Sequence, residues 1–255
     1  MGNLFDLDGR VAIVTGGNGG IGLGMALGLA RAGAALVVVG RNAGKNAAAV
    51  NALEAEGAKA MAVEADVTQQ PACLALVKAA QQRFGRVDIL INNAGINIRK
   101  QPQDYTPEEW KAVLDTNLSS AFLCSQAVYP AMLKAGGGKI VNIGSMLSIF
   151  GAAFAGPYGA SKGGMVQLTK SLACAWAKDN IQVNAVLPGW IDTDLTRAAR
   201  KEVSGLHERV LARTPAGRWG DPADFAGIAV FLASSASNFV SGAAITVDGG
   251  YSSLG

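Results

Sequence analysis

The stretch VAIVTGGNGGIGLGMALGLARAG, residues 11–33, contains a strand, a turn and a helix in immediate succession. Its first five residues are a short apolar, β-branched run, and such unbroken hydrophobicity marks a strand covered on both faces. In the turn, Gly16, Gly20 and Gly22 let the backbone reverse tightly, approach a ligand closely and seat the next helix on the sheet. Asn18 and Ile21 lie in the same turn. A helix that starts there presents unpaired N–H groups at the positive end of its dipole, which suits a phosphate. The Gly-x-x-x-Gly-x-Gly spacing is one residue longer than the common dinucleotide fingerprint, but the strand before it and the helix after it are the required context. A glycine-rich connector without a ligand is the plainer alternative.

Further apolar runs follow at 35–39, 60–65, 88–92, 139–144, 181–187 and 244–247, with helical patterns between them. This βαβ alternation demands a mainly parallel seven-stranded sheet with helices on both faces, an α/β doubly wound fold. Helix starts are legible in Thr106-Pro107-Glu108-Glu109 and Asp221-Pro222-Ala223-Asp224, each with an N-cap, a proline at the first helical position and an acid that closes a capping box. No linker or low-complexity tract divides the chain, so residues 1–255 read as one dinucleotide-binding and catalytic domain.

Composition excludes several classes. Half of the 255 residues are hydrophobic and 16% are charged, which implies a large core. The net charge is 22 − 19 = +3 without a long single-sign block, so there is no footprint for nucleic acid. The uncharged run 140–161 is broken by Asn142, glycines and Pro157 and reads as a buried strand and loop, with no membrane span. Cys73, Cys124 and Cys174 read as small buried residues in a reducing compartment, and an N-terminus with acids where a signal peptide has bases points to the cytoplasm.

The second strand ends in Gly40-Arg41, where an acid would receive the adenosine ribose of NAD. A guanidinium suits a 2′-phosphate, so NADP(H) is favoured, with NAD(H) and a solvated Arg41 as alternatives. Asp66 and Val67 end the third strand near an adenine, and Asn93, Ala94 and Gly95 follow the fourth at the ligand side of the sheet. Tyr158 and Lys162 lie four apart on one helix face, where an ammonium would favour phenolate and make Tyr158 a general acid/base. Ser145, at the fifth strand's end, would polarise a carbonyl. Arg99 and Lys100 enter the mouth of the cleft, where Arg99 could meet a substrate carboxylate or remain solvated. Residues from about 190 to 218, Trp190 included, carry few core signals and many charges and read as a mobile substrate lid. His207, the only histidine, reads as a surface position, and no residues at metal-ligand spacing accompany it.

The glycine turn, Asp66-Val67, NNAG (92–95), LDTNLSSAF (114–122), Ser145, YGASK (158–162) and LPGWIDT (187–193) together resemble the short-chain dehydrogenases/reductases over nearly the whole chain. That resemblance implies a Rossmann-type fold, a catalytic tetrad of Asn117, Ser145, Tyr158 and Lys162, and a nicotinamide bordered by Pro188, Gly189, Ile191 and Thr193. It implies a homotetramer or dimer and interconversion of a secondary alcohol and a ketone on a small molecule. The strings at 214–224 and 230–250 are similar to the sugar-acid branch. A 3-oxoacyl carrier-protein reductase and, remotely, a non-catalytic dinucleotide-binding regulator are the alternatives.

Overall fold

The computed structural model describes residues 3–254; Met1, Gly2 and Gly255, which the single-domain reading takes in, lie outside the described residues. Seven strands form one sheet in the order β3-β2-β1-β4-β5-β6-β7. They are β1 (Val11–Thr15), β2 (Ala35–Gly40), β3 (Ala60–Glu64), β4 (Ile89–Asn92), β5 (Gly138–Ile143), β6 (Ile181–Pro188) and β7 (Ala244–Val247). Every pairing is parallel, where the sequence required only a mainly parallel sheet. Chain order reverses at β1, which pairs with β2 on one side and β4 on the other, and this divergence opens a crevice at the strands' carboxyl ends.

The alternating directions of successive strand residues feed two cores. Ala12 and Val14 point to the face covered by α1 (Gly20–Arg31), α2 (Ala43–Ala55) and α9 (Ala226–Ala233). Val11 and Ile13 point to the face covered by α3 (Gln70–Phe84), α5 (Ser120–Lys134) and α6 (Gly156–Trp176). Full coverage holds for the five inner strands, but the edge strands β3 and β7 are only half buried because each has a neighbour on one side alone. Cys73 and Cys124 are buried with their sulfurs 3.6 Å apart, whereas Cys174 is exposed on α6, against the expectation for all three.

Both expected capping boxes form. Thr106 accepts from the Glu109 amide and starts α4 (Pro107–Leu114); Asp221 caps the short helical turn that leads into α9. Between α4 and α5 the helix widens into one π turn, Asp115–Ser119. Beyond β6, α7 (Asp194–Glu202) and α8 (Leu206–Arg213) share a cluster of Ala199, Leu206 and Val210 with Trp190, Val203 and Trp219. The segment 190–218 thus has an apolar centre that its many charges concealed. Its apolar residues are spaced across two short helices rather than gathered in one run.

α1 lies close to α9 because it presents glycines there: a methyl group added at Gly28 would stand 2.7 Å from Ala226 Cα. Gly227, on α9 itself, faces open space. Gly28→Ala is therefore expected to lower stability by about 1–3 kcal/mol through overpacking. Gly227→Ala should raise it by roughly 0.5–1 kcal/mol through helix propensity. Calorimetric melting of the two variants checks this, and equal shifts would contradict the packing argument.

Candidate active site

Three adjoining cavities occupy the crevice. The first has a volume of 380 Å3 and is lined by Gly16, Asn18, Arg41, Lys45, Asp66 and Val67, with Ala94 and Gly95 opposite. α1 is preceded by Gly19 as its N-cap, with no side-chain cap and no acid in the first turn, so its leading amides suit an anion. Gly16 and Gly20 both hold positive φ, 62° and 51°, which glycine adopts without strain. Gly22 is packed instead: a methyl group there would stand 2.4 Å from the Asn93 amide nitrogen. This cradle fits a dinucleotide.

Gly40 is a steric requirement as well as a missing acid. A Cβ there would meet Asn18 Nδ2 at 2.2 Å and Asn46 Oδ1 at 2.7 Å, two atoms that already hydrogen-bond each other. An aspartate for a ribose diol could enter only by displacing that pair. Arg41 has a second cation beside it in Lys45, from the first turn of α2, which the sequence reading of Arg41 alone did not include. Lys45 bonds Asp194 of α7 at 3.0 Å. Asp66 caps its own turn by accepting from the Thr68 amide and hydroxyl; those bonds, aided by the Arg41 charge, hold its carboxyl below the usual range.

The second cavity, 110 Å3, collects Ile21, Asn93, Ser145, Tyr158, Lys162, Pro188, Gly189, Ile191 and Thr193. Ser145 leaves β5 in extended conformation, and its hydroxyl accepts from the Leu147 amide at 3.1 Å. α6 carries Tyr158 and Lys162 in its first two turns. The Lys162 ammonium is buried, 5.6 Å from the centre of the Tyr158 ring, and donates to the Ile143 carbonyl at 2.7 Å. Burial without a carboxylate pushes its pKa down to about 8.

Burial also pushes the Tyr158 phenol up, while Ser145 and the charge of Arg99 oppose that rise. Arg99 is thus a second cation that favours phenolate, beside the buried Lys162 ammonium over the ring. Asn117 sits in the π turn and is fully buried. Its amide is committed to Ile96 N and O at 2.8 and 2.9 Å and to Ser161 Oγ at 3.0 Å. It stands behind Gly95, where an added methyl group would lie 3.3 Å from Asn117 Oδ1 and 3.7 Å from Lys162 Nζ.

The third cavity, 340 Å3, shares Ser145, Tyr158 and Gly189 with the second and adds Asn97, Arg99, Trp190, Arg209 and Arg213. Arg99 does meet a carboxylate, but that of Glu202 in α7, at 2.9 Å. Lys100 is tied to Glu109 at 2.6 Å. The Asn97 Oδ1 atom is buried with no hydrogen-bond partner among the described residues. Arg209 and Arg213 were missed in the sequence, although their i, i+4 spacing on the lid was the available signal. His207 is exposed and accepts from Trp219 Nε1 at 3.1 Å, and no metal-ligating cluster occurs among the described residues.

Residues 16–252 match the family model described as Enoyl-(Acyl carrier protein) reductase. The 2-dehydro-3-deoxy-D-gluconate 5-dehydrogenase of Dickeya dadantii (strain 3937) is 44% identical over 250 residues, 98% of each chain. The gluconate 5-dehydrogenase of Gluconobacter oxydans (strain 621H) is 43% identical over 97% of this chain and 96% of its own. Among solved structures, a gluconate 5-dehydrogenase from Burkholderia cenocepacia J2315 in complex with NADP and tartrate superposes with a TM-score of 0.93, at 41% identity over 98% of both chains.

Because the folded-state pKa of Lys162 is depressed, its contribution to stability is full above the unfolded value near ~10.4 and is lost as pH falls through about 8. Lys139, buried and repelled by Arg10, is also pushed down to about 8. Side-chain NMR of labelled lysine should show two groups titrating near that pH, one of which disappears in Lys162→Met. Two such signals surviving in Lys162→Met would refute the assignment.

Proposed function

The chain belongs to the short-chain dehydrogenase/reductase family and is an NAD(P)-dependent oxidoreductase, and we propose that it uses NADP(H) to interconvert a secondary alcohol and a ketone on a sugar acid. One observation carries this reading: Tyr158 and Ser145 open onto a cavity that Arg99, Arg209 and Arg213 also line. Relatives named for gluconate and 2-dehydro-3-deoxygluconate support it. The cavity's 340 Å3 lies near the lower end of the ~300–1,000 Å3 of ligand sites, which favours a small substrate over an acyl chain on a carrier protein. The unsatisfied Asn97 carbonyl oxygen would welcome a hydroxyl donor. The presence of both Tyr158 and Lys162 argues against a non-catalytic regulator.

The bound cofactor supplies or accepts the hydride. Gly16, Asn18, Gly20, Ile21 and the leading amides of α1 would hold its pyrophosphate; Arg41 and Lys45 would meet the 2′-phosphate, Asp66, Val67, Ala94 and Gly95 would line the adenosine side, and Asn93 the nicotinamide side. Pro188, Gly189, Ile191 and Thr193 wall the nicotinamide end. Ser145 donates to the substrate oxygen, and Tyr158 gives that oxygen a proton in reduction or takes one in oxidation. Lys162, protonated below about pH 8, restores the phenol's proton and steadies the ribose; Asn117 positions the turn behind it. Residues 1–255 act as one domain, with 190–218 as its lid.

Apolar side chains on two separate faces, Phe122 and Leu133 on α5 and Phe239 before β7, support a homotetramer. No described helix is long and apolar enough to cross a membrane, which fits the cytoplasmic reading.

Tyr158→Phe should lower kcat by ~10²–10⁴ with NADP affinity retained, because only the proton is removed. The reduced nicotinamide's absorbance, followed with a panel of keto sugar acids, reads this; undiminished turnover would exclude Tyr158 as the acid/base. Arg41→Ala and Lys45→Ala should each raise the KM for NADP about tenfold, by loss of a charge-assisted bond, and leave that for NAD within about twofold. Parallel rises for both cofactors would remove the 2′-phosphate assignment.

A further inference from the structure

The three arginines of the substrate cavity differ in what already holds them. Arg99 faces Glu202 at 2.9 Å and donates to the Leu195 carbonyl at 3.1 Å, with its side chain 10% exposed. Arg209 donates to the Ser204 carbonyl at 2.9 Å. No carboxylate and no hydrogen-bond acceptor meets Arg213 among the described residues; two aromatic faces hold it instead. Its Cζ lies 4.9 Å from the centre of the Phe150 ring and 4.5 Å from that of Tyr251, and the two rings meet edge to face at 6.4 Å.

Contact with two rings set at 70° to each other holds the guanidinium without engaging its N–H donors, which stay open to a carboxylate that the fork can take with two parallel bonds. The backbone beneath is fixed too. Arg213 ends α8, one turn beyond the buried Val210 and two beyond the buried Leu206, so packing sets where the fork stands. Arg99 is a poorer anchor on two counts. Glu202 repels an incoming carboxylate there, and the Arg99 charge assists ionisation of Tyr158, an assistance that a second carboxylate would cancel.

We propose that Arg213 is the residue that recognises the substrate's carboxylate and sets selectivity for acids over neutral polyols, while Arg99 serves the reacting end of the same cavity. This rests on the sugar-acid reading above and revises the expectation that Arg99 binds the acid group. The chemistry recognised is a monocarboxylate on a short polyhydroxy chain.

Titration of the NADP-loaded protein with D-gluconate and with the neutral hexitol D-glucitol tests it, in wild type, Arg213→Gln, Arg213→Lys and Arg99→Gln. Wild type should prefer gluconate at least tenfold. Arg213→Gln should lose gluconate affinity about 10–100-fold more than glucitol affinity, the range expected for a charge-assisted bidentate contact. Arg213→Lys keeps the charge without the fork and should fall between. Arg99→Gln should weaken both ligands in similar proportion. Equal binding of both ligands by wild type overturns the sugar-acid reading and this assignment together. A wild-type preference that persists in Arg213→Gln, or in Arg213→Lys if the first variant does not fold, overturns the Arg213 assignment alone, as does selectivity lost only in Arg99→Gln.

Discussion

The crevice depends on one knot of hydrogen bonds at the end of β1. Thr15 Oγ1 accepts from the amides of Asn93 and Ala94 at 3.0 and 3.1 Å and lies 3.3 Å from the Ile91 carbonyl, to which it donates. Asn93 Nδ2 donates back to the carbonyls of Thr15 and Gly16 at 3.1 and 3.0 Å. A parallel sheet that reverses its order here leaves two strand ends diverging, with backbone groups that no ladder can pair. These bonds satisfy them and fasten the glycine turn to the loop after β4. The phosphate cradle and the cavity beside Tyr158 therefore share one rigid wall, and Gly22 must be glycine because the Asn93 amide occupies the space of a side chain.

A second polar chain runs deeper. Asn92 donates to Asn142 Oδ1 at 2.8 Å and to Ser125 at 3.0 Å, and Asn142 donates to Thr169 at 2.9 Å, so β4, β5, α5 and α6 are joined through buried amides. Such a network fixes the angle at which α6 leaves the sheet, and α6 carries Tyr158 and Lys162. The ammonium of Lys162 then meets a carbonyl instead of a carboxylate. A carboxylate would offset the cost of burying the charge and hold the proton through the neutral range. The neutral acceptor leaves desolvation uncompensated, and the lysine becomes a group that can exchange a proton under mild conditions.

Much of this was legible because it is local. Strand positions follow from short apolar runs, the glycine turn from its spacing, and the capping boxes at Thr106 and Asp221 from four residues each. What escaped the sequence arises where distant segments meet. The Lys45–Asp194 pair needs α7 brought to the start of α2, and the Cys73–Cys124 contact needs α3 laid on α5. Arg213 reads as one more lid charge until Phe150 and Tyr251, from segments about sixty and forty residues away, close around it. The buried acceptor of Lys162 escaped for the same reason. Helical spacing brings the ammonium to the tyrosine ring but cannot foresee that the Ile143 carbonyl claims it.

The acids of α7 determine how this positive cleft is held without ligands. Asp194 reaches Lys45 across the cofactor groove, and Glu202 reaches Arg99 across the substrate cavity, so each end of the helix neutralises a cation that the proposed function assigns to an incoming anion or to the reacting group. The Lys45 pair is solvent-exposed on both sides, 59% and 78%, and exposed pairs contribute only about 0–1 kcal/mol. A phosphate that takes Lys45 therefore displaces little. The Arg99 pair is different, since its guanidinium is nearly buried and would be left uncompensated if Glu202 withdrew. Both ends of α7 are fixed without that exposed pair: Thr193 and Thr196 form a capping box at its start, and Glu202 and the Ala199–Leu206–Val210 cluster hold its end. Exchange of anions at Lys45 can then proceed while the substrate cavity keeps its shape.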